Sequence, residues 1–284
     1  MQKILDDCGI QADRTMAVHG GDINETWQIQ RGEEQFFLKF NNAGLYPGMF
    51  QAEAAGLEAL RSNSNIYIPG VIKTGQAANK QYLLLEWIEK GQPADRFWEN
   101  FARDLAGMHQ KIQPYFGWVS DNYIGRLKQR NKQEDTWDEF YTEHRIMPLV
   151  EMLFNKGSFN RNDLNAAGHY CNQLDSLFPV EHPSLLHGDL WSGNYSVTPA
   201  GQACIFDPAV YFGHREMDLG MTRLFGGFDD RFYAAYHEAY PLEQGWEKRL
   251  KLTEAYPLLV HAVLFGGFYV NRAREILSYF NEWT

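Results

Sequence analysis

The sequence predicts an α+β, bilobal protein, with a small β-rich N-terminal lobe and a larger, mainly helical C-terminal lobe enclosing a cleft. Three observations carry this. The hydrophobic period changes near residue 90 from strand-like alternation to helical three-to-four spacing. A Gly- and Pro-containing stretch, "GQPADR", lies where it changes. The 284 residues suffice for two lobes sharing a cleft. The division is placed between residues 1–88 and 89–284.

In chain order, "ETWQIQ" and "QFFLKF" alternate as two strands joined by the polar turn "RGEE". In the second, Phe36, Leu38 and Phe40 face one side while Phe37 and Lys39 face the other. A helix follows in "GMFQAEAAGLEALR", with Phe50, Glu53, Leu57 and Leu60 on one face. Two more strands fall near "GVIKTG" and "QYLLLEWIEK". Beyond the linker, "ENFARDLAGMHQKI" sets Phe101, Leu105 and Met108 on a helical stripe. Further helices are expected around 135–154, 162–177, 231–240 and 248–280. The segments "NYSVT" and "ACIFD" read as a hairpin around Pro199 and Gly201.

Composition narrows the function. Hydrophobic residues at 44% and charged residues at 22% suit a globular chain. A formal charge of -10 argues against nucleic acid or an anionic membrane as the main partner. Cys8, Cys171 and Cys204 have no metal-ligand spacing and cannot form a closed disulfide framework. The opening "MQKILDDCGI" lacks a signal-peptide core. The longest apolar stretch, "AYPLLVHAVLFGGFYV", is interrupted by Pro257 and His261 and is short for a membrane span. A cytoplasmic protein is expected.

The chemistry concentrates in a few places. In "LLHGDLWSGN", Asp189 and Asn194 can aim a carboxylate and an amide oxygen into one pocket, to orient or deprotonate a hydroxyl and to ligate Mg²⁺. Taken alone, the decapeptide is equally a Gly-rich turn whose Asp and Asn cap local backbone. In "CIFDPAVYFG", Asp207 ends an apolar run and supplies a second hard oxygen across the hairpin. Glu53 lies on an apolar helix stripe, where an unpaired carboxylate is costly, so it is paired here with Lys39. That holds Lys39 to reach phosphate oxygens. Glu58 lies off the stripe and reads as solvated. Gly20 and Gly21, in "HGGDINETW", can form a turn whose N–H groups approach phosphates, or an ordinary hairpin turn. Backbone groups of Glu86, Trp87 and Ile88 at the lobe junction are expected to be free for a flat base, as in any crossover segment.

In this order the residues resemble the protein-kinase-like layout. "HGD" stands where protein kinases carry His-Arg-Asp, and "DPA" replaces Asp-Phe-Gly. Only 11 positions separate Asp207 from Asp218, which leaves no long activation segment to present a peptide, so the acceptor is expected to be a small group in a pocket. More specifically, the chain resembles the fructosamine kinase (ketosamine-3-kinase) family. The pieces are "GGDINET", "FFLKF", "FQAEAAGLEAL", "LLLEWIE", "LLHGDLWSGN", "IFDPAVYFGHREMDL", "FGGF", "FYAAY" and "HAVLFGGFYV". The segment around 121–178 matches less tightly and is where substrate preference can differ.

The resemblance implies ATP-dependent phosphorylation of a ketosamine, free or protein-linked, at the hydroxyl of its third carbon. The product sheds the sugar, a deglycation repair. Carried over, Asp189 is the proton acceptor, and Asn194 and Asp207 are Mg²⁺ ligands. Lys39, held by Glu53, contacts the α- and β-phosphates, and Glu86, Trp87 and Ile88 form the adenine hinge. Asp218 braces the catalytic loop through its backbone, and His187 reads as packing. Trp191 would offer its face to the sugar ring, or simply pack the lobe. His109 and His261 are core or wall residues. The competing readings are a kinase of an aminoglycoside- or choline-like acceptor, and a pseudokinase binding module.

Overall fold

A computed structural model describes residues 1–18 and 24–279 of the chain. The N-terminal lobe is built on five antiparallel strands: β1 (Arg14–Ala17), β2 (Glu25–Arg31), β3 (Glu34–Asn42), β4 (Val71–Ala77) and β5 (Lys80–Glu86). They lie in the order β1-β2-β3-β5-β4. The turn from β2 to β3 is tight because Gly32 takes a left-handed φ of 58°. Helix α1 (Gln2–Cys8) packs on β4. Helix α2 (Met49–Asn63) follows β3. The alternation in β3 behaves as expected. Phe36, Leu38 and Phe40 are buried in a small core with Ile4, Leu5, Ile29 and Tyr82, while Phe37 packs against a different core on the other face.

That second core is continuous across residue 88. Phe50, Leu57 and Leu60 of α2 and Leu83 and Leu85 of β5 share it with Phe101 and Leu105 of α3 (Phe97–His109), and with Ile205. Backbone hydrogen bonds reinforce the joint. The hairpin of strands Tyr195–Val197 and Ala203–Ile205 bonds to Tyr67 on one side (Tyr67 N to Ala203 O, 3.1 Å; Ile205 N to Tyr67 O, 3.0 Å). It meets the linker on the other (Gly91 N to Val197 O, 2.8 Å; Ala94 N to Gly201 O, 3.1 Å). The segment that leads into Asp207 is thereby fixed to both lobes.

The C-terminal lobe is helical around a third core containing Phe140, Tyr141, Val150, Tyr170 and Leu259. The 248–280 stretch is three helices rather than one: Trp246–Thr253, Ala255–Phe265 and Phe268–Tyr279. The last break falls at Gly266 and Gly267, both at positive φ (66° and 54°), where helical backbone cannot continue. The 135–154 stretch is two α-helices, Trp137–Tyr141 and Met147–Asn155, with a π-turn, Thr142–Ile146, between them. The 162–177 stretch divides into Arg161–Cys171 and Leu174–Leu177, the former opened by an Asn160–Asp163 capping box. A helix Glu216–Leu224 and a small hairpin, Asn122–Ile124 with Leu127–Gln129, complete the cleft side. No helix among the described residues is long and apolar enough to cross a membrane. The three cysteines are unbridged.

Candidate active site

The loop 187–194 follows the strand Ser184–Leu186, which pairs with Tyr211–Gly213 and so sets the loop beside residues 207–209. Gly188 has a φ of 83°, and a Cβ there would lie 2.1 Å from the Ala209 carbonyl oxygen. Only glycine fits this approach. Ala209 N donates to His187 O (2.9 Å), Phe206 N to Asn194 O (3.1 Å) and Asn194 N to Trp191 O (3.0 Å).

Asp218, at the start of the helix Glu216–Leu224, accepts the backbone N–H groups of His187 (2.7 Å) and Gly188 (2.9 Å). Its Oδ2 also lies 3.2 Å from His109 Nε2. Burial pushes its pKa up, but these donors outweigh burial and hold it below the usual carboxylate value. His187 is fully buried, with Nε2 3.0 Å from Phe206 O, and burial holds its imidazole toward the neutral form. Its contacts tie the loop together.

Asn194 Nδ2 donates to both the backbone oxygen (2.8 Å) and the carboxylate (3.0 Å) of Asp189. Burial, with Asp207 adding like charge, pushes the Asp189 carboxyl well above its ordinary range. Asp207 takes a left-handed φ of 58°, a conformation Asp tolerates better than most residues. This turns it out of the strand direction at the end of the hairpin. Lys39, 3% exposed, ion-pairs with Glu53 at 2.8 Å and also with Asp207. Burial alone would lower the lysine pKa; the carboxylates of Asp207 and Glu53 reverse this and hold it above its ordinary value.

Lys39, Glu53, Asp189, Trp191, Asn194 and Asp207 all line one cavity of about 250 Å³. Sequence reasoning missed much of the remaining wall. It comprises Asn122, Tyr123, Ile124 and Gly125 of the small hairpin, Met221, and, apart from His261, one side of the helix Ala255–Phe265 from Pro257 to Phe265. The looser match around 121–178 was the available signal for the hairpin. Of the two histidines left as core or wall, His109 is core, bonded to Tyr236 (2.7 Å), and His261 is wall. Trp191 stands edge-on to Phe225 at 5.9 Å, and Phe225 packs on His261 at 4.8 Å.

The lobe junction corrects one expectation. The Glu86 N–H is not free: it donates to Gly70 O (2.9 Å), because β5 is still paired there, and the Glu86 carboxylate binds Tyr67 Oη and Gly70 N. Trp87 packs beside Phe37 (6.3 Å) and donates from its indole to Glu89 (3.1 Å). Among the described residues the N–H groups of Trp87 and Ile88 have no backbone partner. Gly20 and Gly21 lie outside the described residues.

No cluster of three or more His, Cys, Asp or Glu among the described residues is arranged to hold a metal by itself. Asp207 and the Asn194 Oδ1, which accepts no hydrogen bond among the described residues, form a sparse oxygen set. Such a set suits Mg²⁺, which keeps waters and completes its shell with substrate phosphates.

A five-stranded lobe, a helical lobe and a cleft holding Lys39–Glu53, Asp189, Asn194 and Asp207 define a phosphotransferase of protein-kinase-like architecture. An aminoglycoside phosphotransferase shares this fold, with a TM-score of 0.65 at 12% identity, covering 100% of this chain and 99% of that one. Within that class, the chain matches the fructosamine kinase family over residues 3–281 and belongs to it. It is 38% identical to a probable ketoamine kinase of Synechocystis over 92% of this chain and 88% of the relative. It is 36% identical to the chloroplastic protein-ribulosamine 3-kinase of Arabidopsis thaliana, over 92% and 81%. A crystal structure of a fructosamine-3-kinase candidate from Thermobifida fusca superposes with a TM-score of 0.86 at 31% identity, covering 97% of this chain and 96% of that one.

Proposed function

We propose that the protein transfers the γ-phosphoryl group of ATP to the 3-hydroxyl of a ketosamine, carried on a small molecule or on a polypeptide amine. The observation that carries this reading is the placement of the Asp189 carboxylate, steadied by Asn194, in the same cavity as Lys39, Asp207 and the Trp191 ring. Family membership supports the acceptor class.

Phosphoryl transfer asks a protein mainly for positioning and charge neutralisation. Asp189 holds the acceptor hydroxyl in line and takes its proton, its carboxylate steadied by Asn194 Nδ2 at 3.0 Å. Lys39, once released from Asp207, stays oriented by Glu53 and contacts the α- and β-phosphates. Asn194 Oδ1 and Asp207 are the proposed holders of Mg²⁺, which when bound neutralises phosphate charge. Asp218 keeps the Asp189 loop in shape. The proposed adenine contacts are the Glu86 carbonyl and the Trp87 and Ile88 backbone. Gly20 and Gly21 are the proposed phosphate turn, and Trp191 the proposed sugar platform. The lobe boundary near residue 88 and a cytoplasmic location, without nucleic acid or membrane as partner, belong to the same proposal.

The test is ATP consumption with Mg²⁺ on fructosamine and ribulosamine derivatives beside an aminoglycoside and choline, with Asp189→Asn as the blank. Turnover on a ketosamine that vanishes in the blank is expected. Turnover confined to the aminoglycoside or choline would replace the acceptor, and silence throughout would make the protein a binding module.

A further inference from the structure

The hairpin Asn122–Gln129 alternates in an unusual sense. Asn122, Ile124, Gln129 and Asn131 are buried, while Arg126, Lys128 and Arg130 are exposed. Three of the four inward residues are therefore carboxamides. A buried carboxamide is costly unless each donor and acceptor is used, and here they are used on one another.

Gln129, 2% exposed, has every polar position filled. Its Nε2 donates to Asn122 Oδ1 (2.8 Å) and to Ala209 O (3.0 Å), and its Oε1 accepts from Tyr256 Oη (2.6 Å). Around it, Asn122 Nδ2 donates to Val210 O (2.8 Å) and Asn131 Nδ2 to Asn122 Oδ1 (2.9 Å). The network is anchored by Arg145, fully buried, whose guanidinium donates to Asn131 Oδ1 (2.7 Å) and lies 4.2 Å from the Tyr211 ring centroid and 4.5 Å from that of Phe140.

Each partner of Gln129 is the root of a different cavity wall. Asn122 begins the hairpin wall. Ala209 lies two residues beyond Asp207. Tyr256 immediately precedes Pro257, where the helix wall with His261 begins. One side chain thus bonds three chain segments at once, beside the direct Asn122–Val210 bond and the Arg126 bond to Leu264 O (2.8 Å).

We propose that Gln129 is a positioning residue for the acceptor, setting the hairpin and helix walls against the Asp207 segment so that the acceptor hydroxyl meets Asp189 in line. The inference rests on the phosphotransfer reading above and names what gives that site its acceptor geometry. Gln129 touches neither substrate; it acts through the walls. Because β3 and Lys39 make no bond to the network, while Ala209 lies two residues from Asp207, losing Gln129 is expected to bear more on the acceptor walls than on the nucleotide side.

The experiment compares wild type with Gln129→Met, which keeps length without polar atoms, Tyr256→Phe, which removes one hydroxyl, and the double variant. Gln129→Met is expected to raise the acceptor KM at least about tenfold, since small misplacements in a reactive geometry are amplified. The ATP KM should stay within about twofold. The double variant should be no worse than Gln129→Met, because both cut the same network. A folded Gln129→Met with unchanged acceptor KM, or with both KM values raised alike, overturns the proposal.

Hydrogen exchange provides a readout independent of the acceptor's identity. Both single variants should speed exchange across 122–129 while leaving β3 unchanged, and unchanged exchange in the hairpin overturns the proposal. If Gln129→Met fails to fold, Tyr256→Phe decides on the same two measurements. If wild type phosphorylates no ketosamine, the acceptor reading falls while the exchange measurement still judges Gln129.

Discussion

The Asp218 carboxylate grips the Gly188 backbone, its Oδ1 2.9 Å from the Gly188 N–H, while Oδ2 takes the adjacent His187 N–H. The loop 187–194 is thus held by a buried anion one residue from Asp189. Asparagine in place of Asp218 offers one oxygen to two donors. Asp218→Asn should cut kcat about a hundredfold through misplacement of Asp189, while ATP affinity measured by calorimetry stays near wild type. It should also cost about 1–3 kcal/mol of stability from the donor left unpaired. Wild-type turnover in this variant would show that the brace is dispensable.

Lys39 separates catalysis from stability. Removing it leaves Glu53, which burial already pushes above its ordinary pKa, without its cation. Lys39→Met should abolish turnover and destabilise by about 3 kcal/mol, the cost of breaking a buried pair from one side. Lys39→Met with Glu53→Gln should regain most of that stability and none of the activity. Denaturant unfolding and a kinase assay on the same samples read both effects.

Trp191 lines the same cavity as Asp189, with one edge against Phe225. Trp191→Ala should raise the ketosamine KM about tenfold, in line with loss of an aromatic platform, and leave the ATP KM nearly unchanged. Trp191→Phe should recover part of the loss. Equal rises in both KM values would assign the indole to packing alone.

Acid should lower the protein's stability through both histidines and carboxylates. Burial lowers the His214 pKa despite the nearby Glu216 and Glu181 carboxylates and Pro179 O, with Arg215 adding to the lowering. A base depressed in the fold contributes stability that is complete above its unfolded value, about 6.5, and lost as pH falls through the folded value. His187 and His261 shift in the same direction. For Glu181, burial raises the pKa, but the Arg215 fork, at 2.6–3.1 Å, outweighs it and lowers the pKa overall. Its contribution is present above its unfolded value, about 4.3, and lost as pH falls through the folded one. Thermal unfolding from pH 8 to pH 3 should show both declines. His214→Gln should flatten the first and Glu181→Gln the second; unaltered profiles would remove these assignments.

Elements with one buried face are legible in the sequence. Strand β3 alternates because one face meets a core and the other meets α2 and the cleft, and Glu53 on the α2 stripe implied a cation opposite it. The elements that were missed lack such a face or a sufficient length. Strand β1 is four residues, α1 is seven, and the small hairpin buries amides where a period-based reading expects hydrocarbon. The Glu86 N–H looked free because nothing in "LLLEWIEK" marks where pairing stops; that depends on Gly70, in a different segment.

The sequence by itself singled out Lys39, Glu53, Asp189, Asn194 and Asp207, the proposed phosphotransfer set, because their motifs taken together suggest one chemistry, and all five line one cavity. It also determined the family, through motifs spread along the chain. Only the tertiary structure decided which residues wall the cavity around Asp189. Gln129 meets Ala209 80 positions away and Tyr256 127 positions away, and no local period records such a meeting. A buried carboxamide must satisfy its hydrogen bonds wherever folding brings partners, and those partners are chosen by packing rather than by neighbours in the chain.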